Sequence, residues 1–158
     1  MPEPVPAGFH TITPYVVFKD SLKAIEFYRQ ALGSEVLFIM PGPKGKGVMH
    51  AEIRIGDSII MMSDEYPHEP CKSAESYGGS PVSFYLYVED VDTAFEKALN
   101  AGALAHMPVQ DMFWGDRIGS VKDPFGHSWT LATHTKDLSP EEIEQGAKTA
   151  FAEMPGTS

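Results

Sequence analysis

His50 and Glu52 are the two side chains of this sequence with the clearest potential for chemistry. They lie two positions apart in the run VMHAEIRI, and alternate residues of a β-strand project from the same face. A glutamate beside a histidine holds the imidazole in one tautomer and raises its basicity, as in general acid–base catalysis. Two alternatives stay open: the pair supplies ligands of a metal site, or Glu52 pairs with Arg54 or Arg117 in a structural network.

The run MFWGDR is a second place where binding chemistry is concentrated. Trp114 offers a ring that can stack on a planar ligand, and the Arg117 guanidinium can fix an anionic group. The alternative is a loop anchor, in which the tryptophan packs and Asp116 and Arg117 satisfy each other or the backbone.

Other reactive side chains stand in less informative surroundings. His127 follows a turn glycine and is expected to pack on the helix-facing side of a strand, and His10 lies in a loop. Cys71 is the single cysteine and sits in a polar loop. A lone thiol forms no disulfide within the chain, which favours a reducing cytoplasm. Functional roles for these three residues stay open.

An internal repeat supplies the elements that position these side chains. Each half opens with a β-branched and aromatic run that ends in an aspartate, followed by a helical pattern and three short extended segments. Asp20 to Asp90 spans 70 residues, and Gly56 to Gly126, in the turns before the last segments, spans 70 as well. The aspartates stand where helix N-caps belong.

The pattern predicts an α+β fold made of two βαβββ modules, followed by a C-terminal helix that starts with a capping box at Ser139 and Glu142. One helix covers only one face of a sheet, so the other face must meet a second sheet, a partner chain or a cavity. The expected units are a first module at 9–64, a linker loop at 65–81, a second module at 82–137, and a helix with a tail at 138–158.

Charge and hydropathy exclude several classes of partner. The formal net charge is −10, which argues against nucleic acid and against anionic membrane surfaces. Apolar runs stay well below the roughly 20 residues that a membrane helix needs.

Several runs carry a family resemblance: ITPYVVFKD, AIEFYRQALG, HAEIRIGDSIIMMSDE, GGSPVSFYLYVEDVD and FWGDRIGSVKDPFGHSWTL. Through them the chain resembles the vicinal-oxygen-chelate superfamily, which includes glyoxalase I, bleomycin-resistance proteins and extradiol dioxygenases. It is also similar to a bacterial subgroup labelled 3-demethylubiquinone-methyltransferase-like. The resemblance implies a U-shaped, eight-stranded mixed sheet around a cavity, with helices on the convex side, and a homodimer.

The metal-binding members of this family imply four ligand positions on the first and last strands of the modules. Counting from the aspartates and turn glycines places them at Thr13, Ile60, Ser83 and Thr130. Isoleucine binds no metal, and neutral hydroxyls are poor ligands for zinc or iron. We therefore expect no metal and no other cofactor, although a relocated divalent metal at His50 and Glu52 stays an alternative.

Strand alternation predicts which side chains line the cavity. His50 and Glu52 face it from the middle strand of the first module. The expected ligand-binding residues are Thr13, Tyr15, Ile60, Met62, Ser83, Tyr85, Tyr87, Thr130, Trp114 and Arg117.

Two functions remain open at this point. The first is a metal-free protein that binds or sequesters a small aromatic or polar organic molecule, as bleomycin-resistance proteins do. The second is an enzyme with lyase, isomerase or dioxygenase chemistry, which uses His50 and Glu52 as an acid–base pair or as ligands of a relocated metal.

Overall fold

The computed structural model describes residues 1–156, which contain eight strands and four α-helices. The first half and the linker hold β1 (Tyr15–Phe18), α1 (Ser21–Leu32), β2 (Glu35–Pro41), β3 (Val48–Ile55), β4 (Ser58–Asp64) and the short helix α2 (Ala74–Tyr77). The second half holds β5 (Phe84–Tyr87), α3 (Val91–Ala101), β6 (Leu104–Asp111), β7 (Asp116–Lys122), β8 (Ser128–His134) and α4 (Pro140–Ala152).

Both module helices begin at the predicted aspartates. The Asp20 side chain accepts from the backbone N–H of Lys23, and Asp90 accepts from that of Thr93, so each carboxylate satisfies an amide of the first turn. The C-terminal helix begins at Ser139, where the predicted capping box with Glu142 is formed.

The strands form two four-stranded sheets within residues 1–156, one from each half of the chain. The strand order is β1-β4-β3-β2 in the first sheet and β5-β8-β7-β6 in the second. In each sheet the first strand runs parallel to the last and the remaining pairs are antiparallel. The predicted α+β fold of two βαβββ modules with a C-terminal helix is confirmed.

A continuous core joins the two modules. Helices α1 and α3 pack against each other and against their own sheets. Ile53 and Met62 from the first sheet lie in the same buried cluster as Val121 and Leu131 from the second. The face of each sheet that points to the helices is therefore apolar, and the functional side chains must lie on the opposite face.

Asp123, in the turn before β8, forms a buried joint between the modules. Its Oδ2 accepts from the Tyr28 hydroxyl of α1 at 2.5 Å and from Trp129 Nε1 at 2.9 Å, while Oδ1 accepts the backbone N–H groups of Phe125 and His127 at 2.9 Å. Burial is the main cause that raises the pKa of Tyr28, and the negative Asp123 raises it further. The hydroxyl thus stays protonated and continues to donate.

The segment between the sheets contains more structure than a plain loop. The linker expected at 65–81 includes α2, which begins at Ser73, where the side chain accepts from the Ser76 amide. Glu65 accepts from the Ser73 amide at 2.6 Å and ties the linker to the end of β4. At the C-terminus, Thr157 and Ser158 of the predicted tail lie outside the described residues. Along residues 1–156, none of the helices is long and apolar enough to cross a membrane.

Candidate functional site

The predicted pair on β3 is in contact. His50 Nε2 lies 3.1 Å from Glu52 Oε1, and His50 Nδ1 lies 3.2 Å from the Tyr15 hydroxyl on β1. A carboxylate only accepts hydrogen bonds, so Nε2 carries a proton, and in the tautomer with a bare Nδ1 this atom accepts from the Tyr15 hydroxyl. Tyr15 is half exposed, whereas the His50 and Glu52 side chains are largely covered. The three residues form a hydrogen-bonded chain that leads from the strand face to an accessible hydroxyl.

Arginine takes no part in this chain. Arg54 pairs with Glu35 on the neighbouring strand β2. Arg117 belongs to the other sheet and pairs with Asp92 and Asp111. The expected alternative, in which Glu52 pairs with Arg54 or Arg117, is therefore wrong.

The last strand of the first module faces the other way from the prediction. Met62 lies opposite Ala51 and Val16 and is fully buried in the core, and Ile60 also belongs to that core. The strand face predicted for Ile60 and Met62 is therefore wrong, although Ile60 also borders a small cavity together with Tyr85. Met61 takes this place instead, because it lies opposite both Glu52 and Tyr15.

A difference in turn length explains the shift. Strands β3 and β4 are joined by a two-residue turn, with Ile55 opposite Ser58. Strands β7 and β8 are joined by five residues, with Lys122 opposite Ser128. Gly56 and Gly126 are therefore not equivalent, and counting from both displaces one last strand by one residue. Such a displacement turns every side chain of the strand to the opposite face.

The residues at the four metal positions of the family are not suited to bind a metal. Tyr85 lies opposite Thr130, as Tyr15 lies opposite Met61, so Met61 takes the position that counting gave to Ile60. Thr13 and Ser83 precede their strands, and the Thr13 hydroxyl donates to the backbone carbonyl of His10. Hydroxyls and a thioether are poor ligands for divalent metals. In residues 1–156 no three His, Cys, Asp or Glu side chains are arranged to hold a metal.

The second sheet carries a cluster that the sequence analysis missed. Asp116 is 4% exposed, and its carboxylate accepts from the hydroxyls of Tyr85 at 2.8 Å and Tyr87 at 3.0 Å. His134 Nδ1 lies 2.8 Å from the same carboxylate, and its Nε2 lies 2.9 Å from Asp137. The strand register could have predicted this cluster, because Asp116 lies opposite His134 on the sheet face that carries Tyr85 and Thr130.

The charge state of this cluster follows from its hydrogen bonds. Burial raises the pKa of Asp116, but hydrogen bonds from His134, Tyr85 and Tyr87 outweigh it and leave the pKa below its usual value. The bonds to Asp116 and Asp137 raise the pKa of His134. Burial first, and then the bond to Asp116, raises the pKa of Tyr85 to about 12. The cluster therefore pairs a carboxylate with an imidazole that binds its proton more tightly than usual.

The residues predicted in the MFWGDR run behave differently from one another. Arg117 holds Asp92 in the first turn of α3 with two bonds of 2.8 and 2.9 Å, and it also contacts Asp111. Its predicted role as a ligand contact on the cavity side is therefore wrong, and it does not pair with Asp116, which was one of the two possibilities in the loop-anchor alternative. Trp114 is half-buried and packs edge-on against Phe113.

A cavity of about 730 Å³ opens beside Tyr15. It lies between β1, the end of β4 and the linker, and the second module contributes Val82, Phe84 and His127 to its lining. Tyr15 is the member of the predicted ligand-binding set that lines it, and the exposed Cys71 of the linker lines it as well. Tyr85 instead lines a smaller cavity of about 210 Å³, together with Ile60. Ligand pockets in proteins usually have volumes of about 300–1,000 Å³, so the larger cavity is of ligand size.

The comparisons with known proteins agree with this architecture. An uncharacterized protein of Mycobacterium tuberculosis is 40% identical over 137 residues, which cover 84% of this chain and 79% of that protein. A Bacillus cereus structure, called a putative 3-demethylubiquinone-9 3-methyltransferase or PhnB protein, superposes with a TM-score of 0.61 at 23% identity over 78% of this chain and 99% of its own.

A third similar structure is TnmS3, described as an antibiotic binding protein from Streptomyces, with a TM-score of 0.61 and 23% identity over 80% of this chain and 96% of its own. At this identity the likeness of both structures shows the shared fold. The sequence model of the Glyoxalase/Bleomycin resistance protein/Dioxygenase superfamily matches residues 8–131. The chain therefore belongs to this superfamily, as the resemblance of its sequence runs implied.

Proposed function

We propose that this protein binds a small organic molecule, aromatic or polar, without the metal that enzymes of its superfamily use. The observation that carries the proposal is the position of Tyr15, whose ring walls a cavity of about 730 Å³ while its hydroxyl contacts His50. A tyrosine supplies a large contact area and a polar end, which suits a planar ligand with a hydrogen-bonding group.

The aromatic face of the second sheet supports the same proposal. Tyr85 and Tyr87 are exposed, and their rings lie 5.3 Å apart above the buried Asp116. We include these tyrosines, Trp114 and Thr130 among the proposed ligand contacts, with Thr13 and Ser83 at the strand entrances. The fold is compatible with such a role, because TnmS3 shares it and is described as an antibiotic binding protein.

We propose that the protein acts as a homodimer. The edge strand β2 exposes a run of apolar side chains, Val36, Leu37, Phe38, Ile39 and Met40. An exposed apolar edge strand pairs readily with other chains, and a second copy that covers it removes this liability. We also assign the protein to the cytoplasm, since its single cysteine forms no disulfide within the chain.

Elemental analysis and ligand titration test the metal-free proposal. Protein purified without added metal is analysed for zinc, nickel, manganese and iron, and aromatic ligands are then titrated with and without a chelator. We expect substoichiometric metal and the same affinity in both buffers. Stoichiometric metal that is lost in a His50→Gln variant would contradict the proposal.

The hydrogen-bonded chain of Tyr15, His50 and Glu52 favours a second candidate, an enzyme of lyase, isomerase or dioxygenase type. In it, Glu52 holds the tautomer of His50, and the imidazole exchanges a proton with Tyr15 or with the substrate. Mass spectrometry of the bound molecule after long incubation separates the two functions. Recovery of unchanged ligand supports binding alone, whereas conversion that stops in both His50→Gln and Glu52→Gln variants supports the enzyme.

A further inference from the structure

His127 is buried in a way that leaves its polar atoms without partners. Its ring is 6% exposed, and within residues 1–156 neither Nδ1 nor Nε2 has a hydrogen-bond partner. Phe18 and Phe84 hold the ring, with centroids 5.7 and 5.9 Å away. Buried polar groups are almost always hydrogen-bonded, so an orphaned imidazole calls for an explanation.

The charge state of the His127 ring limits the kinds of group that could form hydrogen bonds with it. Burial is the main cause that lowers the pKa of His127, against an opposing effect of the negative Asp123. The imidazole is therefore neutral near pH 7, with one nitrogen that donates and one that accepts. A partner with a hydroxyl group, which both donates and accepts, matches it without bringing a charge into an apolar site.

The place of the ring shows where such a partner would come from. His127 lines the cavity of about 730 Å³ together with Phe84 and Tyr15. Asp64, another polar residue of the wall, already accepts the amides of Ser21 and Val48 at 2.8 and 2.9 Å. The nitrogens of His127 are closed off from water in this state. A ligand can bond to them only if the ring turns towards the cavity.

We propose that His127 is the specificity-determining residue of this cavity and selects neutral aromatic ligands that carry a hydroxyl group. This inference rests on the proposed binding function and adds the chemical class of the ligand. The buried nitrogens of His127 have no hydrogen-bond partner among residues 1–156, so a ligand hydroxyl that reaches them supplies one. An aromatic body of matching size fills the space between Tyr15 and Phe84.

Two probes of nearly the same shape test this selection. 2-Naphthol carries a hydroxyl where 2-methylnaphthalene carries a methyl group, and both are followed by their fluorescence in equilibrium titrations. We expect the wild-type protein to bind 2-naphthol roughly tenfold more tightly, the factor that one well-placed hydrogen bond gives. A His127→Phe variant should bind both probes equally, with an affinity for 2-methylnaphthalene close to that of the wild type.

Thermal unfolding of the same variants gives a second readout. Replacing an unsatisfied imidazole by an apolar ring of similar size should raise the melting temperature, so the variant gains stability while it loses discrimination. His127→Leu provides a second apolar replacement if the phenylalanine does not fit. His106→Phe, at an exposed position of β6 that does not line the cavity, is the matched control and should keep the tenfold preference.

The possible outcomes distinguish the selection by His127 from the proposed binding function of the cavity. If both probes bind the wild type and the preference survives in His127→Phe and His127→Leu, the selection by His127 is refuted while the binding function stands. A loss of stability in both variants, with equal loss of both probes, would assign His127 a structural role instead. If neither probe binds the wild type, the binding function proposed for this cavity fails as well.

Discussion

Replacing Met62 and Met61 by alanine, one at a time, tests the register of β4 with two neighbouring residues of the same type. Met62 is fully buried between β1 and β3 and packs into the core shared with the helices. Truncation of a buried methionine to alanine destabilises by about 2–5 kcal/mol, because transfer free energy is lost and a cavity remains. Met61 faces the opposite side and is partly exposed, so Met61→Ala should cost roughly 1 kcal/mol or less.

Urea denaturation followed by circular dichroism measures both changes. The midpoint should fall strongly for Met62→Ala and slightly for Met61→Ala, with the slope m unchanged in both. The sequence-based count placed Met62 on the cavity side, and under that register the order would be reversed. A Met61→Ala variant that is as unstable as Met62→Ala, or less stable, would refute the register and the metal-site comparison built on it.

Three further predictions, with four variants, concern the buried contacts of Asp123 and the cluster around Asp116. In the same assay, Asp123→Ala should destabilise the protein by about 3 kcal/mol or more, because the buried donors lose their acceptor. Tyr28→Phe should cost about 1.5–3 kcal/mol. If both variants were as stable as the wild type, Asp123 would not hold the modules together. Absorbance at 295 nm should show a tyrosine ionisation near pH 12 that is missing in Tyr85→Phe. The contribution of Tyr85 to stability should be full below pH 10.0 and be lost as the pH rises through about 12. NMR titration of His134 should give a midpoint above pH 6.5 that falls in the Asp116→Asn variant. The contribution of His134 to stability should be full below pH 6.5 and be lost as the pH rises through its raised pKa. A midpoint that does not change in Asp116→Asn would contradict the bond between His134 and Asp116.

The local signals of this sequence were sufficient for the fold. The N-caps at Asp20 and Asp90 and the capping box at Ser139 depend on contacts between residues close in the chain, and all of them are formed. Alternation within one strand was equally reliable, since it placed His50 and Glu52 side by side. These features need no knowledge of what packs above them.

Register between strands was harder to predict, because it depends on turns whose lengths differ between the modules. The errors at Ile60 and Met62 both follow from treating Gly56 and Gly126 as equivalent. The ion-pair partner of Arg117 was not predicted, for a related reason. Arg117 is adjacent to Asp116 in sequence but points to the opposite face, where Asp92 of α3 is within reach.

The buried joint at Asp123 has a consequence for how the molecule comes apart. Repeated modules that touch through independent interfaces unfold one after the other, as in solenoid proteins. Here Tyr28 of the first module and Trp129 of the second share one carboxylate inside one core, so neither module keeps its buried groups satisfied once the other has opened. The two halves should therefore be lost in a single cooperative transition, and hydrogen exchange at the centres of β3 and β8 should report the same free energy of opening.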